Sequence, residues 1–423
     1  MTGARYTLWL LMAVYTFSIL DRQIISILAE DIKADLRLSD TQLGLLTGLA
    51  FALFYATLGI PIARLAERRS RTLIIAVCLT LWSVMTVAAG MARSFAHLAL
   101  ARIGVGVGEA GAMPASHSLI ADRFAPEERS SAMAVFQLGV PAGVLFGFLI
   151  GGWVNAWLGW RETLIVVGVP GIVLAAIVYL TVKEPARRTA AALESTFFAD
   201  LKRLWSIPTY RYLTAASTFA SMGGYAVLSW TPPLLLREYQ LTTAVVGTAL
   251  ALLNGIIGGL GTFGGGALGD RAARRDPKGP FKVAALATVL SGPLFLMAFL
   301  ATSYVMTLVF LGCAFLFYLS WMGPHWAMVQ SVAPQGTRAT ASAFILFILN
   351  LVGLGLGPLG IGIISDAFAA AGLDAPLRSA MIVGTITFPL SALFFYLAGR
   401  SYAENPVSDT AARKGEGEPI SAH

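Results

Sequence analysis

Apolar stretches of about 20 residues follow one another along most of the chain, each closed by a short polar segment, and that is the length a helix needs to cross hydrocarbon. Six such stretches fall near 6–28, 42–64, 71–91, 96–119, 130–155 and 161–182. A second six fall near 209–235, 243–268, 281–301, 304–328, 339–366 and 379–399. The segment between the sets holds Lys183, Arg187, Arg188, Lys202 and Arg203, so it reads as a polar linker. Within it, Phe197, Phe198, Leu201, Leu204 and Trp205 recur near helical spacing, which predicts a short helix lying along the membrane surface. The pattern predicts an all-α membrane protein: a six-helix half over 1–182, a linker over 183–208, a second half over 209–400 and a disordered polar tail over 401–423. The first apolar run carries Asp21 and Arg22 and lacks a small-residue cleavage pattern, so it reads as a membrane span and not as a leader.

Composition agrees with lipid as the solvent, for 57% of the 423 residues are hydrophobic and only 13% charged. A net charge of +7 would suit a nucleic-acid partner in a soluble protein, but here the basic residues stand between apolar runs and report topology. If both ends are cytoplasmic, 22 of the 30 lysines and arginines fall on cytoplasmic segments, 6 on outer loops, and Arg22 and Arg102 within spans. That asymmetry predicts an even number of spans with both termini inside a plasma membrane. Cys78 and Cys313 sit in separate apolar runs and read as packing residues, with no disulfide framework or thiolate metal site.

The two halves share a plan. After span two the chain reads Ala63-Arg-Leu-Ala-Glu67-Arg68-Arg-Ser-Arg71, and after span eight Gly266-Ala-Leu-Gly-Asp270-Arg271-Ala-Ala-Arg274, with acid and arginines at the same offsets 203 positions apart. Pro126, Arg129 and Ala132 after span four correspond to Pro334, Arg338 and Ala341 after span ten, with one residue inserted. The acid-Arg-x-x-Arg loops resemble the signature loop of the major facilitator superfamily. Arg102 with Gly106 and Gly108 is similar to that superfamily's fourth-helix motif, and Gly139-Val-Pro141-Ala-Gly143 with Gly147, Gly151 and Gly152 to its fifth-helix motif. Departures are Ala63 where glycine is usual and Glu67 where aspartate is usual. Asp21-Arg22 on span one, with Arg102 and Glu109 on span four, most resembles the spinster group. The resemblance implies twelve transmembrane helices in two six-helix bundles, the major facilitator fold, in a bacterial inner membrane. It also implies a secondary transporter, not an enzyme, moving lysophospholipids or related amphiphilic lipids, coupled to protons and without a cofactor.

The residues that carry this chemistry are four intramembrane charges. Each central charge costs about 2.5 to 3.5 kcal/mol on insertion scales, so Asp21, Arg22, Arg102 and Glu109 require a reason. Span one runs outward and span four inward, which brings Asp21, Arg22 and Arg102 to one level; Glu109, two turns beyond Arg102, lies nearer the midplane. On the functional reading, Asp21 and Glu109 exchange protons while Arg22 and Arg102 pair with a carboxylate or an anionic head group. Burial favours the protonated carboxyl and a neighbouring guanidinium the ionised one, so moving the arginine changes proton occupancy. The bland alternative is a salt-bridge network that orders spans one and four.

The second half has no mid-span acid or base in spans seven and ten. Ser221, Tyr225, Ser229, Tyr318, Trp321 and His325 are the expected cavity lining there, with Asn254 and Asn350 on neighbouring spans. A charged wall facing an aromatic one would suit an amphiphile; packing is the alternative for every one of these aromatics. Glu67, Arg68, Arg71, Asp270, Arg271, Arg274, Arg129 and Arg338 are either solvated positive-inside residues or gates, an acid docking on a helix terminus in one state and releasing it in the other. Gly223-Gly224 and Pro232-Pro233 mark expected break points in span seven. Gly106-Val-Gly-Glu-Ala-Gly111 satisfies a dinucleotide fingerprint only formally, since it lies inside an apolar helix; no phosphate loop or metal-ligand spacing is present. The expected partners are an amphiphilic lipid substrate, protons and membrane lipids, with no nucleic acid, and the expected state is a monomer. Export of drugs or carriage of small organic anions is the alternative, because Arg22 and Arg102 can hold any carboxylate or phosphate.

Overall fold

A backbone in hydrocarbon must satisfy its own hydrogen bonds, so each apolar run folds as a helix. The computed structural model describes residues 3–125, 128–185, 197–334 and 336–404. Pro126, Arg187, Arg188, the tail from 405 and the side chains of Glu67 and Arg68 lie outside the described residues. The first six membrane helices are α1 (Gly3–Leu36), α2 (40–68), α3 (Arg71–Gly90), α4 (95–123), α5 (129–158) and α6 (Trp160–Thr181). A short α7 (Phe197–Trp205) falls in the linker. The second six are α8 (Pro208–Tyr239), α9 (Thr243–Arg275), α10 (Gly279–Leu300), α11 (Tyr304–Val332), α12 (Arg338–Ala370) and α13 (376–404). Ten of the twelve are long and apolar enough to cross a membrane by length and composition. The other two are α4, which is divided, and α8, which is diluted with serine, threonine and glycine.

Each set of six packs into its own bundle, and the start of α1 at Gly3 and the end of α13 at residue 404 share one face, called here the terminal face. In the first bundle Gly139, Gly143, Gly147 and Gly151 form a stripe of α5 turned on α1. A Cβ on Gly147 would lie 2.8 Å from that of Gln23, so any larger residue would push the helices apart. Gly106 and Gly108 do the same for α4 against α2 and α3, where an added Cβ would stand 2.5 Å from the Phe51 carbonyl oxygen and 2.7 Å from the Trp82 nitrogen. The formal dinucleotide fingerprint is thus a helix-packing surface.

The repeat is visible in backbone detail. Arg37 and Gln240 are the two non-glycine residues at positive φ among those described, at 52° and 51°, and both end the first helix of their bundle. Ser39 and Thr242, two residues on, each cap the next helix with a side-chain oxygen. Both pairs keep the 203-residue offset of the signature loops. α4 breaks at Ala110–Gly111 and α11 at Ser320–Trp321, each shortly before Pro114 or Pro324. A proline has no N–H for the carbonyl four residues back, here Ala110 or Ser320, so the helix restarts.

Span seven does not break at its expected points: α8 is continuous through Gly223, Gly224, Pro232 and Pro233. Between the glycine and proline pairs, Trp230 Nε1 donates to the Pro358 carbonyl of α12 at 2.8 Å and holds α8 against that helix. The irregular turns lie elsewhere, as wide π segments at Leu45–Leu49 of α2, Ala251–Ile257 of α9 and Leu349–Leu354 of α12. All three helices run along the junction between the bundles.

Contacts between the bundles concentrate on the opposite face, the far face, where α2 meets α12, α5 meets α9 and α1 meets α8. The terminal-face segments Ala112–Arg123 and Arg129–Gln137 pack within the first bundle, and Met322–Val332 and Arg338–Ile348 within the second. The bundles therefore join at the far face and part toward the terminal face.

Candidate functional site

The tight crossing of α1, α2 and α4 brings the four intramembrane charges together. They form two crossed pairs: Arg102 Nη1 lies 3.2 Å from Asp21 Oδ2, and Arg22 Nη2 2.7 Å from Glu109 Oε2. The first pair is sealed. Both partners are almost fully buried, the Thr86 hydroxyl donates to Asp21, and Arg102 Nε donates to the Leu46 carbonyl at 3.4 Å, inside the π segment of α2.

The second pair is less closed. The Arg22 side chain is 13% exposed, and its Nε donates to Glu109 Oε2 at 2.9 Å beside the Ser18 hydroxyl, which donates to the same oxygen at 2.7 Å. Glu109 Oε1 is buried without a hydrogen-bond partner. Three donors thus converge on one carboxylate oxygen while the other is left vacant, and an orphaned buried oxygen calls for a chemical reason. Phe51 neighbours both guanidiniums, with Arg22 Cζ 4.8 Å and Arg102 Cζ 5.4 Å from its centroid. Tyr55 stacks on Phe51 and lies 4.4 Å from Arg22 Cζ, so both aromatics spread the cationic charge at little desolvation cost. Tyr15 stacks on Phe136 one helix away. Ser18, Phe51, Tyr55 and Thr86 have no charge or motif to single them out in sequence, although Ser18 falls one helical turn before Arg22.

Of the lining expected from the second bundle, Tyr225 is partly exposed. Tyr318 reaches across to donate to the Ala220 carbonyl at 3.2 Å, over Gly224. Trp321, His325, Ser221 and Ser229 need correction. His325 is fully buried between Trp321, Trp326 and Phe395, and Trp321 belongs to the same aromatic core, so neither lines an opening. The break before Pro324 turns this part of α11 into its own bundle. Ser221 is buried against α12, donating to the Leu349 carbonyl at 3.2 Å, and Ser229 is buried too. Asn254 and Asn350 donate to carbonyls of their own helices, Leu250 at 3.3 Å and Leu346 at 2.8 Å.

On the far face an ionic cluster joins the bundles; the sequence reading counted its Lys33 and Arg237 for topology alone and left its acids aside. Arg237 of α8 donates from both terminal nitrogens to Asp40 at 2.7 and 2.8 Å and to Glu30 at 2.7 Å. Lys33 lies 2.5 Å from Asp40, and the Ser365 hydroxyl donates to it at 2.6 Å. Asp366 of α12 accepts from the Asp40 and Thr41 backbone nitrogens at 3.0 and 2.8 Å, capping α2 from the opposite bundle. This is an acid docked on a helix terminus, the gating geometry expected of the signature loops, but found at the opposite end.

At the terminal face Arg71 is buried and pairs with Asp122 of its own bundle and, at 2.7 Å, with Glu184 at the start of the linker. Glu184 also accepts from Ser70 Oγ and the Thr72 nitrogen, both at 3.0 Å. Asp270, Arg271, Arg274 and Arg338 are exposed, while Arg129 donates to the Phe124 carbonyl at 3.3 Å. Partial burial pushes the Glu184 carboxyl up, but the Thr72 N–H, Arg71 and Ser70 outweigh it and hold the group below its ordinary value of 4.5. A depressed carboxyl stabilises the fold above its unfolded value and loses that contribution as pH falls through the folded one. Wild-type melting temperature should therefore drop below about pH 4.5 more steeply than that of Glu184→Gln; parallel curves would remove Glu184 from this role.

Comparison with known proteins fits this arrangement. The profile of the Major Facilitator Superfamily matches residues 11–358. An MFS-type efflux pump of Mycolicibacterium smegmatis is 33% identical over 400 residues, covering 94% of this chain and 92% of that protein. A hexuronate transporter of Bacillus subtilis is 28% identical over 415 residues, with 92% and 95% covered. In structure the chain is similar to a bacterial homolog of the human lysosomal transporter Spinster in an inward-facing, unoccupied conformation, at TM-score 0.86 and 29% identity, covering 96% of this chain and 98% of that one. With twelve helices in two repeated bundles and crossed charge pairs at the heart of the first, the chain belongs to the major facilitator superfamily and is a membrane transporter, not an enzyme.

Proposed function

We propose that the protein is a proton-coupled carrier of lysophospholipids or related amphiphiles, working by alternating access, and that Glu109 is the proton site. The observation that carries this reading is the asymmetry of the two charge pairs. Asp21–Arg102 is closed on every side and acts as the fixed strut of the first bundle. Arg22–Glu109 keeps one partly exposed cation and one vacant carboxyl oxygen, the place a proton occupies when Arg22 turns to an anionic head group. Tyr55 and Tyr225 offer the apolar surface that an acyl chain needs beside that cation. The excess of lysine and arginine on the terminal face supports its placement in the cytoplasm of a bacterial inner membrane; the parted bundles then open inward, and the far-face cluster faces outward. The linker 183–208 connects two halves that rock as units, and the protein works as a monomer.

The efflux-pump and hexuronate relatives favour a second reading, in which Arg22 holds the anionic group of a drug or a sugar acid. Purified protein in liposomes, energised by an imposed pH gradient, decides between them. Labelled lysophospholipid should move, and a hexuronate or a lipophilic drug in tenfold excess should leave its rate unchanged. Movement of the sugar acid or drug without movement of lysophospholipid overturns the lipid assignment.

A further inference from the structure

The linker helix α7 is clamped to the second bundle along one side only. Leu204 is fully buried in that bundle's core, Asp200 accepts from Thr340 Oγ1 of α12 at 3.2 Å, and Trp205 meets Phe344 of α12 edge to face at 5.8 Å. The side turned away bears Phe198, 79% exposed, while Trp205, 47% exposed, stands at the seam with Phe344, and Leu201 and Lys202 lie between the two aromatics. Between this side and α12 runs an open groove of about 600 Å³, lined by Phe198, Leu201, Lys202, Trp205, Ser206 and Phe344. Four of the six are large apolar side chains. The groove lies at the level where α8 and α12 begin at Pro208 and Arg338, the boundary between hydrocarbon and head groups.

We propose that this groove seats one acyl chain of an anionic phospholipid from the adjoining leaflet, with Lys202 meeting its phosphate. Two exposed aromatics beside a groove of this size favour a hydrocarbon chain over water. The charges select the head group. Lys202 and Arg203 are exposed on α7, Arg338 and Arg211 are exposed at the starts of α12 and α8, and the helix's one acid, Asp200, is turned inward onto Thr340. A zwitterionic head group would bring its own cation to this field; phosphatidylglycerol brings none. The bound lipid tethers α7, and through it the starts of α8 and α12, to the leaflet. The site is separate from the Arg22–Glu109 pair and independent of what the carrier moves.

Full-length protein in detergent is titrated with phosphatidylglycerol carrying brominated chains, which quench a tryptophan they touch, and in parallel with brominated phosphatidylcholine. Saturable quenching by the anionic lipid is expected, with roughly fivefold weaker binding in Lys202→Gln, the effect of one basic residue near an anionic lipid. In Trp205→Phe, which keeps an aromatic wall, the lipid-specific quenching should disappear while the melting curve stays in place. Equal quenching by both lipids, quenching unchanged in Trp205→Phe, or no saturable quenching overturns the proposal. Displacement by water-soluble glycerol phosphate at equal concentration overturns it too, by showing a small-anion site that needs no chain.

Discussion

Glu109→Gln is expected to abolish accumulation of substrate driven by a pH gradient while leaving substrate binding in place. Glutamine keeps the shape of the side chain and an oxygen for Ser18 and Arg22, so the packing of α1 on α4 survives. It cannot take up and release a proton. One proton moving down 100 mV and one pH unit supplies roughly 3.7 kcal/mol, enough to sustain a gradient of about 400- to 500-fold. The variant should therefore relax to equal concentrations on both sides, measured as steady-state uptake in energised liposomes with exchange of labelled substrate as the control. Proton-driven accumulation that persists in Glu109→Gln would sink the assignment. Arg102→Ala provides the contrast. It leaves the Asp21 carboxylate buried with Thr86 as its remaining neutral partner, and removing one member of a sealed pair costs about 3–5 kcal/mol. Loss of folded protein, not uncoupling, is the result expected there.

Arg237→Ala should open the far face. The substitution removes all three hydrogen bonds that Arg237 makes to Asp40 and Glu30, the charged part of the bond between α8 and the first bundle. Arg237 and Glu30 are about a quarter exposed, so solvent screens part of their attraction, and about 3 kcal/mol for the whole set is a reasonable figure. At 1.4 kcal/mol per tenfold, the ratio of far-face-closed to far-face-open protein falls by about a hundredfold. Spin labels at Arg37 and Leu373, exposed far-face positions on opposite bundles, should report a longer distance in the variant. An unchanged distribution would mean that apolar packing of α2 on α12, and not the ionic cluster, holds that face.

The twelve spans were legible because hydrocarbon imposes a length and a composition that few other constraints mimic. Their ends were less so: the first run stops near 28 by apolarity, yet α1 continues to Leu36, since Glu30, Asp31, Lys33 and Asp35 are compatible with a helix that has left the hydrocarbon. The four intramembrane charges stood out through their energetic cost, whereas their crossed pairing depends on how α1 passes α4, which no local pattern encodes. His325 and Trp321 look alike as lining or core residues in a string of letters. The break before Pro324 decides between them, and only the rotation of α11 beyond that break shows which way they face. Asp40, Arg237 and Asp366 stood at span ends, where charge is expected anyway, so nothing local marked them as partners across 197 or 326 positions. The π segments left no trace in composition.

The 203-residue repeat places two comparable joints at the far face, and their chemistry differs. Where α2 meets α12 an ionic cluster is added to close backbone packing of Gly44 on Pro358 and Gly48 on Gly355. Where α5 meets α9, its counterpart, Thr243 donates to the Gly152 carbonyl at 3.0 Å and Asn155 donates to Thr243 at 3.2 Å, with glycine facing glycine below. Mobile salt screens the partly exposed Arg237 and Glu30 of the first, its buried Asp40 less, and acts least on the uncharged Thr243 and glycine contacts of the second. Raising ionic strength therefore acts like a wedge driven into one edge of a book whose spine stays glued, and an unspecific solute acquires a directional mechanical effect.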